Sequence, residues 1–169
     1  MDRKHASTTE TFAHEATNHR IALSPHAGEI EPGTSIQTAT VASEFKNWST
    51  WSFAAEASEG STFDSYHTPS TEIDPNDYMY LAEALEHPFE VAVAFHGFAP
   101  SNTDIDIYVG GSTPLAQRQR LAERLQFETG FNSVAARPSD GDLWQNYSGT
   151  HGSNIVNRIT AKNSEHSVQ

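Results

Sequence analysis

The chain has 169 residues, a formal net charge of −12 and no cysteine. This length fits a single domain that buries about two thirds of its unfolded surface, and the lack of cysteine excludes disulfides, thiol nucleophiles and Cys-based zinc sites. The acidic balance argues against nucleic acid and anionic membranes as partners. With no secretory signal and no apolar run near the ~20 residues of a membrane span, we expect a cytoplasmic monomer, or a protein released by another route.

The first 71 residues alternate polar segments with short apolar runs. Residues 1–18 are polar and aperiodic, which predicts a loose lead-in or an edge element. The elements predicted next are a strand at residues 19–24, a helix that starts at Gly33 and runs through residue 46, a strand at 48–54, and irregular chain at 60–71 with a short strand near Tyr66.

The rest of the chain carries stronger helix and strand signals. A helix is predicted to open at Asp74, which can cap it, and to run to about Glu86. Residues 89–95 are apolar almost throughout, which is typical of a central strand buried on both faces. The later elements expected are a strand at 105–109, a helix at 114–130 with Arg118 facing water, a strand at 131–136, a loop at 138–153, a short strand or turn at 154–160, and a strand beginning at residue 168.

Strands therefore alternate with helices along the chain. This alternation predicts the α/β class, with a mixed, mostly parallel sheet flanked by helices. We find no internal repeat and no sharp boundary, so residues 19–169 are expected to form one domain.

Two predicted strands are each followed by a histidine. The first leads to His26 and the second to His96, and if these strands are parallel neighbours the two imidazoles meet at one edge of the sheet. A carboxylate from the adjacent loop, Glu29 or Glu31, would add an oxygen ligand. Two nitrogens and one oxygen leave a fourth position for water, which is the arrangement of a catalytic zinc site.

Several other polar residues have both a functional and a structural interpretation. His67 is a competing ligand, although a histidine after a strand is more often a hydrogen-bonded structural residue. Arg158 suits bidentate capture of a carboxylate, with Asn157 donating beside it, or it simply neutralises the acidic surface. The pair Gly110-Gly111 allows a ligand or the metal loop to approach closely, or forms a tight turn.

Five segments of the chain occur in an order associated with one family. They are residues 25–34, 94–98, 108–111, 154–158 and 167–169. From about residue 19 onward the chain resembles the phage-derived poly-γ-glutamate hydrolase family, whose members are often called phage-related replication proteins. A phage-encoded protein could also leave its host cell without a signal.

The resemblance implies a fold similar to that of metallocarboxypeptidases and a zinc-dependent amidohydrolase. The expected substrate is an acidic peptide or polyglutamate, cleaved at γ-glutamyl amide bonds. The implied zinc ligands are His26, Glu31 and His96. Asn157 and Arg158 resemble the Asn-Arg pair with which carboxypeptidase-like enzymes hold a substrate carboxylate.

The chain departs from the family pattern at its carboxyl end. Members usually continue past a Gly-Val-Gln-like strand to a Glu that is the expected general base, whereas this chain has Ser167 at the Gly position and stops at Gln169. A truncated chain, or Glu29 acting as a substitute base, would account for the difference. The alternative function is a non-catalytic metal-binding or carboxylate-binding domain.

Overall fold

A computed structural model describes residues 6–15, 19–98, 103–160 and 167–168. The strands in these residues are β1 Ser7–Ala13, β2 Arg20–Gly28, β3 Ser49–Glu56, β4 Val91–Ala94, β5 Ile107–Val109, β6 Ser133–Ala135 and β7 Ser167–Val168. The α-helices are α1 Thr34–Glu44, α2 Thr62–Tyr66, α3 Met79–Glu86, α4 Leu115–Thr129, α5 Asp142–Tyr147 and α6 Ile155–Ile159. No helix among these residues is both long and apolar enough to cross a bilayer.

Within the described residues the main sheet has five strands, in the order β1-β3-β2-β4-β7. Only β1 runs antiparallel to its neighbour; the other three pairs are parallel. Helices α3 and α6 cover the sheet through one core that includes Trp51, Leu81 and Ile155, and α1 packs on β2 and β3. The predicted α/β fold with a mixed, mostly parallel sheet is confirmed.

The central strand β2 is longer than the sequence predicts. The pairing of β2 with β3 shifts register between Ser24 and Ala27, so Pro25 and His26 lie in an irregularity and the strand resumes beyond them. A proline cannot donate to the ladder, which explains why it lies where the pairing is interrupted. Irregularities of this kind re-aim side chains, and here the affected side chain is that of His26.

A second, two-stranded sheet pairs β5 with β6 in parallel. Helix α4 packs on it through Ala122, and Gly130 ends this helix in the left-handed conformation, as the sequence predicts. Arg118 does not face water. It is buried, and its Nε and Nη1 donate to the carbonyls of Thr113 and Ala136 at 2.9 and 2.7 Å.

Several sequence predictions of local structure are wrong, and at α2 and α6 a local cap outweighs composition. Near Tyr66 the chain forms α2 instead of a strand, since Ser61 Oγ accepts a hydrogen bond from Asp64 N and caps a helix. Residues 154–160 contain α6 instead of a strand or turn, capped by Asn154 and buried through its apolar residues. The predicted loop at 138–153 contains α5.

The segment 1–18 contains an edge strand. Residues Ser7–Ala13 pair with β3 along their whole length, and Glu10 Oε1 accepts from Trp51 Nε1 at 2.9 Å and from Leu81 N at 2.7 Å. The predicted helix at 74–86 is interrupted: Asp74 caps a short 3-10 turn, Tyr78 is extended, and α3 follows. Gln169 lies outside the described residues.

Candidate metal centre

The carboxyl ends of β2 and β4 bring two histidines together. The strands are parallel neighbours, and Phe95 N donates to Leu23 O at 2.9 Å just beyond the last paired residues. His26 and His96 therefore leave the sheet side by side, with their Nδ1 atoms 3.2 Å apart. This geometry agrees with the sequence prediction that both imidazoles lie at one edge of the sheet.

A compact loop after β2 returns Glu31 to these imidazoles. Glu31 N donates to His26 O at 2.9 Å, and Thr34 Oγ1 donates to Glu31 O at 2.9 Å, which closes the loop onto the start of α1. The carboxylate of Glu31 lies between the two rings: Oε1 is 3.2 Å from His26 Nδ1, and Oε2 is 3.4 Å from His96 Nδ1. Gly97 N also donates to Oε2, at 2.8 Å.

The outer nitrogens of both imidazoles face other groups of the chain. His26 Nε2 lies 2.7 Å from the carbonyl oxygen of Thr68, which can only accept, so Nε2 carries a proton, and a neutral form of the ring would have its lone pair on Nδ1. His96 Nε2 lies 3.4 Å from Ser70 Oγ. Such outer partners fix the tautomer and the orientation of metal-binding histidines.

The electrostatics of the cluster keep Glu31 in its ionised form. Burial raises the pKa of Glu31, but hydrogen bonds and charge from His26 and His96 outweigh it and hold this pKa well below its usual range. Burial lowers the pKa of His96, although Glu31 opposes the shift. Ionised carboxylate and neutral imidazole are the forms that bind a metal ion.

The spacing of the inward atoms fits a tetrahedral cation. Ligand bonds of about 2.0–2.1 Å at tetrahedral angles place the ligand atoms about 3.3 Å from one another. His26 Nδ1 lies 3.2 Å from both His96 Nδ1 and Glu31 Oε1, and His96 Nδ1 lies 3.4 Å from the other oxygen of the same carboxylate, Oε2. His26 and Glu31 are buried, at 2% and 8% exposure, so a cation is the group that would balance their lone pairs and charge.

His67 is a fourth member of the cluster. Its Nε2 lies 3.5 Å from Glu31 Oε1, and its ring packs between those of His26 and Phe63, with centroid distances of 4.2 Å on both sides. His26, Glu31 and His67 each offer a ligand atom within 4.8 Å of the others. Burial and the proximity of His26 lower the pKa of His67. The structure thus offers two overlapping sets of three ligands, which share His26 and Glu31.

The cluster lines a cavity of about 450 Å³. Glu29 does not line it: Glu29 is exposed, and its Oε2 accepts a hydrogen bond from Thr62 Oγ1 at 3.1 Å. Asn157 and Arg158 are not among the lining residues either. The Asn157 amide donates to the carbonyls of Gly149 and His151, and Arg158 Nη1 donates to Ile73 O at 2.7 Å. The structure therefore brings together the three predicted ligands but not the predicted base or the predicted carboxylate anchor.

Part of the cavity is formed by residues that carry no sequence signal. Residues 144–151, from α5 and the chain after it, contribute much of the lining, and residues 69–71 contribute the rest of the rim next to His67. These residues form no sequence motif. The group that orients His26 is the backbone carbonyl of Thr68, and the type of side chain at a position does not reveal such a contact. The sequence features that point to this part of the cavity are the polar character of residues 60–71 and the presence of His67 among them.

Two solved structures share the fold of this chain. A bacteriophage poly-γ-glutamate hydrolase of known structure shares the fold, with a TM-score of 0.70, 24% sequence identity, and coverage of 91% of this chain and 66% of that chain. A protein called YNDL, solved in a zinc-free apo form, has a TM-score of 0.62 and 26% identity over 95% of this chain and 69% of that chain. This chain thus spans just under two thirds of the length of the phage enzyme. No match was found among curated proteins.

The family match covers the chain almost from end to end. The family described as poly-gamma-glutamate hydrolase matches residues 2–169, which include both histidine-bearing strand ends and the loop of Glu31. This agrees with the resemblance carried by the five sequence segments. The chain therefore belongs to the poly-γ-glutamate hydrolase family.

Proposed function

We propose that this chain is a zinc-dependent hydrolase of γ-glutamyl amide bonds, in which His26, Glu31 and His96 hold the zinc ion. The observation that carries the proposal is the triangle of 3.2–3.4 Å contacts among two Nδ1 atoms and one carboxylate at the ends of neighbouring parallel strands. Family membership supports the choice of substrate, which is polyglutamate or a shorter acidic γ-amide.

The donor set fits zinc in kind as well as in spacing. Two imidazoles and one carboxylate are a common ligand set of catalytic zinc sites, which keep a further position open for water or substrate. When bound at such a site, zinc polarises a carbonyl group and lowers the pKa of a bound water molecule toward neutrality. The cavity next to the cluster supplies the space that a substrate amide needs.

The chain's own residues prepare this site. The carbonyl of Thr68 holds the proton of His26 on Nε2, so that Nδ1 is available inside the cluster. Gly97 N fixes one oxygen of Glu31, and the loop hydrogen bond from Glu31 N to His26 O fixes the backbone. Glu31 is the one carboxylate among the described residues that line the cavity, and Glu29 is hydrogen-bonded to Thr62 outside it.

Zinc content separates the two possible ligand sets. Purified protein is expected to bind one zinc ion, and His96→Ala is expected to weaken zinc binding by more than the roughly 100-fold that follows loss of an outer partner. His67→Ala is expected to weaken it by less than about tenfold, and His19→Ala, outside the cluster, is the matched control. A large loss in His67→Ala with little loss in His96→Ala would contradict our ligand assignment.

Cleavage of a defined substrate tests the activity. The zinc-loaded protein should shorten poly-γ-glutamate, as measured by gel filtration and by release of free amino groups, and should leave α-linked polyglutamate intact. Stoichiometric zinc without cleavage would overturn the hydrolase proposal in favour of the non-catalytic metal-binding alternative. Absence of zinc binding would overturn both.

A further inference from the structure

One side of the cavity is a continuous stretch of chain from Trp144 to His151, called here the cleft wall. It contains the last four residues of α5 and the residues that follow this helix, and every one of its residues lines the cavity. Its polar side-chain groups are an indole, two amides, three hydroxyls and an imidazole. The described residues that line the cavity include no lysine or arginine.

The turn after β5 holds the cleft wall at Ser148. Gly111 N donates to Ser148 O at 2.7 Å. Gly110 lies so close that a Cβ atom placed on it would be 2.3 Å from the same oxygen and 2.8 Å from the carbonyl carbon. No side chain fits in this space, so glycine at position 110 is a requirement of the contact.

Helix α6 holds the cleft wall at two further carbonyls. The side-chain amide of Asn157 donates to Gly149 O and to His151 O, both at 2.8 Å. Asn157 is buried, at 8% exposure. The same helix is tied to the rim beside the metal cluster, because Ile155 N donates to Ser70 O at 3.0 Å and Ser70 lies next to His96. Asn157 therefore links the cleft wall to the part of the chain that supports the metal ligands.

We propose that Asn157 and the Gly110-Gly111 turn are positioning residues. They hold the cleft wall at a fixed distance from the proposed metal ligands, and an acidic γ-amide substrate fits into the space between. This inference rests on the proposed function. The carboxylates of the substrate are received by neutral donors of the wall, such as the side chains of Gln145, Asn146 and Thr150, rather than by a guanidinium. Asn157 thus acts through the wall and does not itself contact the substrate.

The test is a comparison of KM, kcat and zinc affinity in variants that release the wall from either side. Asn157→Leu removes both donors at similar volume, and Gly110→Ala forces Ser148 away. Each is expected to raise KM for a short γ-linked glutamate oligomer by about tenfold, from the loss of one or two hydrogen bonds, with kcat and the zinc Kd within about twofold of the parent. Asn157→Ser, which keeps one donor, should fall between.

Two control variants distinguish positioning from general destabilisation. Gly152→Ala adds a methyl group with nothing within 4 Å, next to the wall. Thr160→Val removes hydrogen bonds to Val156 O and Asn157 O in α6 without contacting the wall. Both should keep the parental KM even if Thr160→Val lowers Tm. A KM unchanged in Asn157→Leu and Gly110→Ala, or a zinc Kd that weakens in parallel with KM, would overturn the inference.

The same experiment keeps the two proposals apart. If the parent protein fails to bind or cleave the γ-linked oligomer, the proposed function fails before any variant is compared. If the parent cleaves it and the wall variants behave like the parent, only the positioning role fails. Should one variant not fold, as judged by circular dichroism, Asn157→Ser and the remaining wall variant give the result.

Discussion

Substitution of Gly97 by alanine is expected to weaken metal binding without removing a ligand. Gly97 follows His96, and its N–H donates to Glu31 Oε2 at 2.8 Å. A Cβ atom on Gly97 would lie 3.2 Å from both Cβ and Cγ of Glu31, which is closer than ordinary van der Waals contact by a few tenths of an ångström. Glu31 is 8% exposed and its backbone is bonded to His26 O, so it has little room to yield.

The size of the effect follows from the bond that is strained. A hydrogen bond to a charged group contributes about 1.5–3 kcal/mol, and 1.4 kcal/mol corresponds to a tenfold change in an equilibrium constant. Displacement of the Glu31 carboxylate should therefore weaken zinc binding by about 10- to 100-fold, which is also the range seen when outer partners of metal ligands are removed. Because Gly97 itself is exposed, the free energy of unfolding of the metal-free protein should change by less than about 1 kcal/mol.

Zinc competition against a chromophoric chelator measures this directly. The zinc Kd of Gly97→Ala is compared with that of the parent and of Gly152→Ala, where the added methyl group meets nothing within 4 Å. Thermal unfolding in a chelator reports the stability of the metal-free forms. A zinc Kd within twofold of the parent would refute the reasoning, because it would show that the position of Glu31 does not depend on Gly97.

Two further predictions concern pH and salt. Burial, and then the nearby His87, lower the pKa of His14, whereas Glu15 and Glu83 oppose the shift. The folded state therefore binds fewer protons than the unfolded state, and stability is lost as pH falls below about 6.5. Between pH 7.5 and 5.5 in chelator-containing buffer, His14→Phe should lose less unfolding free energy than the parent, and an equal loss would contradict this. Because the chain carries a net charge of −12 and the cleft wall contains no lysine or arginine, KM for polyglutamate should fall between about 0.1 and 1 M NaCl, as the screening length shrinks from about 10 to 3 Å. A KM that rises with salt would instead reveal a cationic subsite.

The parts of the molecule that sequence predicts well are those fixed by the ends of buried strands. The apolar runs before His26 and His96 predicted strands, and parallel strands that are neighbours present their carboxyl ends at the same edge of the sheet. The choice of Glu31 over Glu29 came from the family resemblance. The structure supplies a physical reason for it, since Glu31 turns back to both imidazoles while Glu29 bonds to Thr62.

The parts that sequence predicts poorly depend on contacts between distant segments. Arg118 was expected on the water side of its helix, but the carbonyls of Thr113 and Ala136 give it a buried site that no periodicity reveals. Residues 154–160 are a short segment with three apolar residues, and so short a pattern has no period that separates helix from strand. Tertiary packing and the Asn154 cap decide in favour of α6.

The helical conformation of α6 determines the directions of the Asn157 and Arg158 side chains. A strand at residues 154–160 would place neighbouring side chains on opposite faces, so Asn157 and Arg158 could not both be expected on one wall. In the helix they are separated by about 100°, and they bond to different parts of the chain: Asn157 to the cleft wall, Arg158 to Ile73 O. A motif match fixes which residues are present, but the direction of an amide or a guanidinium depends on the element that carries it. The carboxylate-binding role implied by the Asn-Arg pair stays a prediction, whereas the bonds that Asn157 makes to the cleft wall are the observation behind its proposed positioning role.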